Sequence, residues 1–260
     1  MKVMVEAVYV GDVDSPLNFN DTAESMALKW LTNEDDLHLC PDSPNLVQRF
    51  FIASMYFRLG GGTWSDCTVQ ECSGSPFMSA VSECEWDGII CNVNGMIKEI
   101  HLNERNVTGS LSEGISLLES LEVIAMDDNE LTGTIPESLG SLSKLTVVDL
   151  DNNLLTGPIP EFLFNASMIK VIDLDTNQLT GTLSTRFGEL TSLYFLQLDK
   201  NQFRGSIPVE LTNLPDLKYL SLFQNNFTSS IPSALCGQEK QIFADCDVCT
   251  IDDCCKACLV

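Results

Sequence analysis

Residues 145–160 read Leu145-Thr-Val-Val-Asp-Leu-Asp-Asn-Asn-Leu-Leu-Thr-Gly-Pro-Ile-Pro160, and Leu163 follows. The same pattern, LxxLxLxxNxLTGxIPxxL, recurs along the chain with few departures. Its six copies begin 24 residues apart, at Ile97, Leu121, Leu145, Ile169, Leu193 and Leu217. Repetition at a fixed period of this length is the signature of a solenoid, in which each repeat is one structural unit. The sequence therefore predicts an α/β solenoid of six 24-residue repeats over residues 97–240.

Each position of the repeat has a structural role. Apolar residues alternate at Val148 and Leu150, which predicts a short strand, and stacked repeats then form a parallel β-sheet on the concave face. Asn153 can satisfy backbone groups at the turn, and Gly157 allows a tight bend before Pro160 stiffens the next segment. No repeat buries its apolar face alone. We therefore assign these residues to the scaffold and not to ligand binding. The threonines at the LTG position could in principle match an ice lattice, but we assign them to the scaffold as well: Thr108, Thr132, Thr156, Thr180 and Thr228.

The cysteines lie at the two ends of the chain. Five of the 11 fall between Cys40 and Cys91, and six fall between Cys236 and Cys258. This distribution is typical of secreted modules with disulfide-bonded caps. Four Asn-x-Ser/Thr sequons point to the same compartment and are predicted glycosylation sites: Asn20, Asn106, Asn165 and Asn226. We therefore expect an extracellular or cell-surface protein.

The chain is strongly acidic, with a formal net charge of −23 at pH 7. Such a field repels nucleic acid and anionic membranes, and it favours basic partners or cations. Residues 1–20 do not form a convincing signal peptide, because Glu6 interrupts the short apolar run and Asp12 and Asp14 follow it. We expect residues 1–20 to be disordered or a remnant of a longer N-terminus. Any membrane attachment is expected to use a segment outside this chain.

The LTGxIP signature resembles the plant-type subclass of leucine-rich repeats, which is found in receptor-like ectodomains and polygalacturonase-inhibiting proteins. The stretch Cys84-Glu-Trp86-Asp-Gly88-Ile-Ile-Cys91 is similar to the N-terminal cap motif of that family, CxWxGVxC, which implies a disulfide between Cys84 and Cys91. The Gly60–Trp64 segment and the Cys-rich tail look like surface repeat proteins of diatom-type algae. The resemblance implies the fold but no particular ligand, because this family binds peptides, proteins, glycans and hormones on one scaffold. The sequence contains no kinase motif.

Both open ends of a solenoid need caps. Residues 21–96 are predicted to form a helical, disulfide-containing N-terminal cap. A capping box at Asp21–Glu24 opens its first helix, and Ser43-Pro44 opens a second that runs to Leu59. Residues 241–260 are predicted to form a Cys-rich C-terminal cap, where disulfides are favoured over a zinc site because the CxxC pairs lie close together. An odd number of cysteines leaves one thiol free or in an intermolecular bond.

Three columns of side chains are predicted to point out from the concave sheet. The first runs Glu99, Val123, Val147, Val171, Phe195, Tyr219; the second His101, Ala125, Asp149, Asp173, Gln197, Ser221; the third Asn103, Asp127, Asp151, Asp175, Asp199, Phe223. Carboxylates about 5 Å apart repel each other by roughly 1 kcal/mol in water, and a basic partner or a cation would relieve that repulsion. The alternative is that small polar residues are usual in this column and that the aspartates are simply solvated.

Aromatic residues replace the acidic ones at the C-terminal end of the columns. They are plausible anchors for a protein or a sugar ring, and the alternative is that they pack under the C-terminal cap. The predicted ligand-binding residues are therefore His101, Asp127, Asp149, Asp151, Asp173, Asp175, Asp199, Phe195, Tyr219 and Phe223.

These features predict a recognition module for a protein, peptide or glycan, with a basic ligand favoured, and not an enzyme. The histidines His38 and His101 lie far apart in sequence, and no Ser/His/Asp arrangement occurs. One alternative is a defence protein that inhibits a hydrolase. Another is a structural wall or matrix protein whose acidic faces are bridged by calcium. We predict no cofactor and no metal site except in that last alternative.

Overall fold

The computed structural model describes residues 21–40, 43–64, 74–236, 240–249, 255 and 257–259. Its helices are α1 (Ala23–Asn33) and α2 (Leu46–Arg58), with short 3-10 helices at Gly61–Thr63, Glu83–Glu85, Glu113–Leu117, Glu137–Ser141, Glu161–Asn165, Thr185–Glu189, Val209–Asn213 and Ser233–Leu235. Residues 1–20, with the sequon at Asn20, lie outside the described residues, as do Cys67, Cys72 and Cys254.

The strands fall into one long sheet and three short ladders. In chain order they are β1 (Ile89–Cys91), β2 (Ile97–His101), β3 (Thr108–Ser110), β4 (Val123–Ala125), β5 (Glu130–Thr132), β6 (Val147–Asp149), β7 (Thr156–Gly157), β8 (Val171–Asp173), β9 (Gln178–Leu179), β10 (Phe195–Gln197), β11 (Arg204–Gly205), β12 (Tyr219–Ser221), β13 (Asn226–Phe227), β14 (Gln241–Asp245) and β15 (Ala257–Leu259). The short ladders pair β3 with β5, β7 with β9, and β11 with β13.

The long sheet has nine strands in the order β1-β2-β4-β6-β8-β10-β12-β14-β15. Strand β1 runs antiparallel to β2, and all the other pairs are parallel. Each repeat contributes one strand in the same register, so that Val147 pairs with Val123 on one side and Val171 on the other. The predicted leucine-rich-repeat solenoid is confirmed. The sheet also continues past residue 240, because β14 and β15 of the C-terminal cap extend it.

The repeat residues build the core and join neighbouring repeats. Val148 and Leu150 are completely buried. Asn153 Oδ1 accepts a hydrogen bond from the Leu131 amide at 2.8 Å, while its Nδ2 donates to the Met126 carbonyl at 2.9 Å. Thr132 and Thr156 donate their hydroxyls to glycine carbonyls of the preceding repeat, at 3.0 and 3.1 Å. Because one buried amide satisfies backbone groups of two repeats, the asparagine ladder is structural.

The N-terminal cap differs from the prediction at its helix starts. Thr22, and not Asp21, caps α1, because its hydroxyl accepts from the Ser25 amide at 3.1 Å. Helix α2 begins at Leu46 and not at Ser43-Pro44. The Leu46 amide donates to the Ser43 carbonyl at 3.1 Å, which closes a turn ahead of the helix.

A buried arginine holds the N-terminal cap together. Arg49 is 0% exposed and donates to both carboxylate oxygens of Asp35, each at 2.7 Å, and to Glu83 at 3.2 Å. Its guanidinium packs against the rings of both Trp30 and Trp86, 5.1 and 4.8 Å from their centroids. The cap therefore buries a positive charge together with two negative ones, and the aromatic rings exclude water from them.

Disulfides reinforce both caps. Cys84 is bonded to Cys91, and Cys249 to Cys255. Cys236 and Cys246 are also disulfide-bonded. Among the cysteines that the structure describes, Cys40 is free and exposed. Within the same residues, no helix combines the length and the apolar character needed to cross a membrane.

Candidate functional site

The sheet register assembles the predicted columns on the concave face. Val123, Val147 and Val171 pair in sequence along the first column, which then continues into the aromatic residues Phe195 and Tyr219. The second column follows the same register. Backbone hydrogen bonds continue the ladder beyond the strands, so that the third column lies beside the second. The concave face therefore has an acidic middle and an aromatic C-terminal end.

Five of the predicted aspartates form two overlapping groups. Asp127, Asp149 and Asp151 each offer one carboxylate oxygen within 4.8 Å of the other two. Asp151, Asp173 and Asp175 form a second group with the same limit of 4.8 Å. We call these five residues the aspartate cluster. Asp151 belongs to both groups and is the centre of the cluster.

Two of the predicted ligand-binding aspartates are much less accessible than the column pattern suggests. Asp175 is 5% exposed and Asp199 is 1% exposed. Asp175 accepts a hydrogen bond from the Thr176 hydroxyl at 2.7 Å, and Lys200 Nζ lies 3.9 Å from its Oδ2. These two side chains are therefore buried, although the column pattern places them on the outward side of the concave sheet.

Several carboxylate oxygens of this face are buried without a hydrogen-bond donor. Among the described residues, no hydrogen bond of normal geometry reaches the Oδ1 atoms of Asp127, Asp149, Asp173 and Asp199, although the Ser221 hydroxyl lies close to the Asp199 carboxyl group. A buried acceptor left in this state costs about 1–3 kcal/mol, and more if it is charged. The acidic middle of the sheet is therefore a region of carboxyl oxygens whose hydrogen bonding is incomplete.

The pKa values of these groups reflect that environment. Burial raises the pKa of Asp151 to about 8, and the hydrogen bond with Asp149 and its negative charge raise it further. Burial also raises the pKa of Asp173 to about 8, with added repulsion from Asp175 and Asp151. Burial is likewise the main cause that raises the pKa values of Asp127, Asp149 and Asp199. The ionised forms are disfavoured because the site lacks compensating positive charge.

The aromatic end of the sheet is built as a stack. The rings of Phe195 and Tyr219 lie parallel within 7°, with their centroids 4.5 Å apart. Phe243 of β14 continues the stack, 5.3 Å from Tyr219. Phe223 lies beside it and faces Lys200, whose Nζ is 5.9 Å from the ring centroid. The side chains of this aromatic stack (Phe195, Tyr219 and Phe243) remain half-buried, so their faces contact both the cap strand and solvent.

Phe243 was missed by the sequence reasoning. It occupies the second column beside Ser221, but it lies 22 residues after it and not 24. One more 24-residue step would place Phe243 after Tyr219 in the first column, but the six repeats were taken to end at residue 240. The last step of the solenoid has 22 residues, so Gln241 pairs with Tyr219 and Phe243 lies in the second column. The apolar alternation of Ile242 and Ala244, which are both buried, is the signal that could have revealed this strand.

The remaining predicted site residues lie away from the aspartate cluster. His101 is at the N-terminal end of the sheet, where its Nε2 lies 2.9 Å from Glu99 Oε2. The sequon residues Asn106, Asn165 and Asn226 are all exposed. The structure therefore brings together the aspartates and the aromatic residues on one surface, but leaves His101 apart from them.

Comparisons with known proteins agree with this architecture. The family model described as Leucine Rich Repeat matches residues 120–142, 144–166 and 216–238. No curated protein matches the chain in a sequence search.

Three of the similar solved structures are receptor kinases. One is the Arabidopsis receptor kinase HAESA in complex with the peptide hormone IDA and the co-receptor SERK1 (30% identity, 71% of this chain and 32% of that one, TM-score 0.61). Another is Pollen Receptor Kinase 3 (26% identity, 67% and 87%, TM-score 0.59). A third is the LRR ectodomain of the Arabidopsis thaliana plant membrane receptor kinase GASSHO1/SCHENGEN3 with CASPARIAN STRIP INTEGRITY FACTOR 2 (26% identity, 67% and 24%, TM-score 0.55).

The fold and the repeat signature define the class: the chain is a leucine-rich-repeat solenoid, and it is similar to plant-type leucine-rich-repeat receptors. It spans about a third of the HAESA chain and about a quarter of the GASSHO1 chain.

Proposed function

We propose that this protein is an extracellular recognition module that binds a peptide or protein segment along its concave sheet. The observation that carries the proposal is the aromatic stack beside the aspartate cluster, on the face that the sheet leaves open. HAESA and GASSHO1, which share the scaffold, were solved with a peptide hormone and with CASPARIAN STRIP INTEGRITY FACTOR 2. The ligand of the present chain is defined by its own surface, because the scaffold alone does not specify one.

The aromatic stack supplies the anchor of this proposed site. Phe195 and Tyr219 hold each other parallel at 4.5 Å, which fixes their orientation before a ligand arrives. Rigid aromatic side chains bury a large area at a low cost in conformational entropy, and they dominate the binding energy of many interfaces. An apolar or aromatic side chain of the ligand would pack on this surface.

The acidic middle of the sheet adds a charge preference. Asp127, Asp149 and Asp151 lie in repeats that precede the stack, so a ligand running along the sheet crosses them. Charges of this kind increase association rates for partners of opposite sign and disfavour acidic ones. A basic residue next to an apolar anchor is therefore the ligand feature that this face selects.

The same features support an extracellular, non-catalytic role. Disulfides occur in both caps, and proteins keep such bonds mainly in oxidising compartments. The exposed sequons at Asn106, Asn165 and Asn226 are accessible to glycosylation. The aspartates follow the regular register of the sheet, which suits a recognition surface better than a catalytic pocket.

The proposal is tested by selecting peptides from a displayed random library on the purified protein. Tyr219→Ala is expected to weaken the binding of the selected peptides by about 2 kcal/mol, which is roughly a 30-fold increase in Kd, because it removes the central ring of the aromatic stack. The selected peptides should also be rich in lysine and arginine. Isothermal titration calorimetry measures both effects.

The matched control is Phe162→Ala. Phe162 is 57% exposed but lies in the Glu161–Asn165 helix, outside the sheet. Its replacement should leave peptide affinity unchanged. Peptides that bind the Tyr219→Ala and wild-type proteins equally would place recognition elsewhere and refute the proposal.

A further inference from the structure

The geometry of the aspartate cluster matches the requirements of a metal ion. Within each of its two groups, three carboxylate oxygens from different aspartates lie within 4.8 Å of one another. Calcium binds oxygen ligands at about 2.3–2.6 Å, so two ligands on opposite sides of one ion are roughly 5 Å apart. Three carboxylate oxygens of Asp151, Asp173 and Asp175 therefore lie close enough together to share a single calcium ion.

A separate observation shows that a buried carboxyl group beside the cluster has an incomplete set of partners. Asp199 follows Asp175 in the third column and is 1% exposed, yet its Oδ1 makes no hydrogen bond of normal geometry with the described residues, and the nearby Ser221 hydroxyl and Lys200 charge only partly offset its burial. The negative charge of Asp175 acts on Asp199, which shows that the two carboxyl groups are electrostatic neighbours. A side chain so thoroughly buried cannot obtain its missing partner from bulk water.

The protein's own cations compensate little of this charge. In the part of the chain that the structure describes, the one ion pair that reaches the cluster joins Lys200 to Asp175, at 3.9 Å. Lys200 is 47% exposed at its side chain and also lies over the ring of Phe223. At that distance and exposure, Lys200 cannot satisfy the carboxylates of Asp151 and Asp173 as well.

We propose that the aspartate cluster binds calcium, with Asp151, Asp173 and Asp175 as the principal ligands. Asp127 and Asp149 form the other group of the cluster together with Asp151, and this group is an adjoining position for an ion. Three carboxylates supply only part of the six to eight oxygens that calcium takes, so the remaining positions face the concave groove and hold water or ligand oxygens. The inference goes beyond the proposed function, because the free protein binds the ion whether or not a peptide follows.

The test is a calorimetric titration of calcium chloride into the full chain, without peptide, after removal of divalent ions with a chelator. We expect binding with a Kd of roughly 10⁻⁴–10⁻³ M, as in other extracellular calcium modules. Asp151→Asn should weaken binding about tenfold or more, because it removes a charged ligand common to both groups. Asp173→Asn should weaken it as well, and circular dichroism checks that both variants fold.

The matched control is Asp216→Asn, which changes the same charge at an exposed position outside the cluster. Its calcium affinity should equal that of the wild type. No binding at millimolar calcium, or equal affinity in the Asp151→Asn protein, would overturn the inference. A thermal shift that sodium chloride reproduces at equal ionic strength would also overturn it, because it would reflect general screening. Peptide binding is measured separately, so either proposal can fail alone.

Discussion

The N-terminal cap and the concave sheet both contain buried aspartates, but the carboxyl groups have different partners in the two regions. In the cap, the Asp35 and Glu83 carboxylates are each 1% exposed and both contact the Arg49 guanidinium. On the sheet, Asp173 and Asp199 each keep an oxygen without a hydrogen bond of normal geometry to the described residues. The difference is the burial of the cation: Arg49 is completely buried in the cap, whereas Lys200 of the sheet is 47% exposed and lies 3.9 Å from Asp175. It indicates that the cap charges stabilise the fold, whereas the sheet charges are suited to a cation from outside.

The largest expected effect comes from removing the cation of the cap. Arg49→Met should destabilise the protein by about 3–5 kcal/mol, because it leaves the Asp35 and Glu83 carboxylates buried and unpaired. Urea unfolding measures the change. The control is Arg186→Met, because Arg186 is 33% exposed at its side chain and pairs with Glu189 on the surface. That substitution should cost no more than about 1 kcal/mol. Equal losses of stability in the two variants would show that the buried ion pairs of the cap stabilise the protein no more than a surface ion pair does.

The same substitution should have opposite effects in the two regions. In calcium-free buffer, Asp151→Asn should stabilise the protein by about 1 kcal/mol, because it removes repulsion within the cluster and supplies a donor beside Asp149. Asp35→Asn should destabilise it, because it takes a counter-charge from Arg49. Thermal unfolding of both variants measures the difference. If Asp151→Asn were also destabilising without calcium, the contrast between the regions would be lost.

A smaller change in the stability of the protein is expected when the pH changes. The pKa values of Asp151 and Asp173 are about 8 in the folded protein, against an ordinary value of 3.8. Between these values the folded protein binds more protons than the unfolded chain, so its stability falls as pH rises through about 8. The facing charged groups are Asp127, Asp149, Asp175 and Lys200.

The measurement is the Tm in chelator-containing buffer at about pH 6 and about pH 9, where a decrease of a few degrees is expected. An Asp151→Asn/Asp173→Asn double variant should show a flatter profile, since it no longer carries the two groups with the highest pKa values. A wild-type Tm that stays constant or rises over this range would contradict the raised pKa values.

Much of the site could be predicted from the sequence, because a solenoid converts sequence period into spatial adjacency. Once strands repeat every 24 residues, Asp151 and Asp175 must be neighbours, and so must Phe195 and Tyr219. One more step of the period reaches Phe243 from Tyr219, but the period could not reveal that the last step has 22 residues, which moves Phe243 into the second column. The period also could not reveal the ion pairs of Arg49 with Asp35 and Glu83, because these cap residues do not belong to any repeat.

The sequence by itself determined the number of repeats, the parallel sheet and the identity of the side chains in each column, because these depend on a local pattern copied along the chain. Only the tertiary structure decided which charges are desolvated. Asp151 remains half-buried while Asp199 is almost completely enclosed, although both occupy equivalent positions of the repeat. Desolvation depends on what neighbouring repeats and the cap place over each carboxyl group, and the distances between their oxygens depend on that packing too. The burial of the carboxyl groups and the distances between their oxygens distinguish a solvated acidic surface from a candidate cation site.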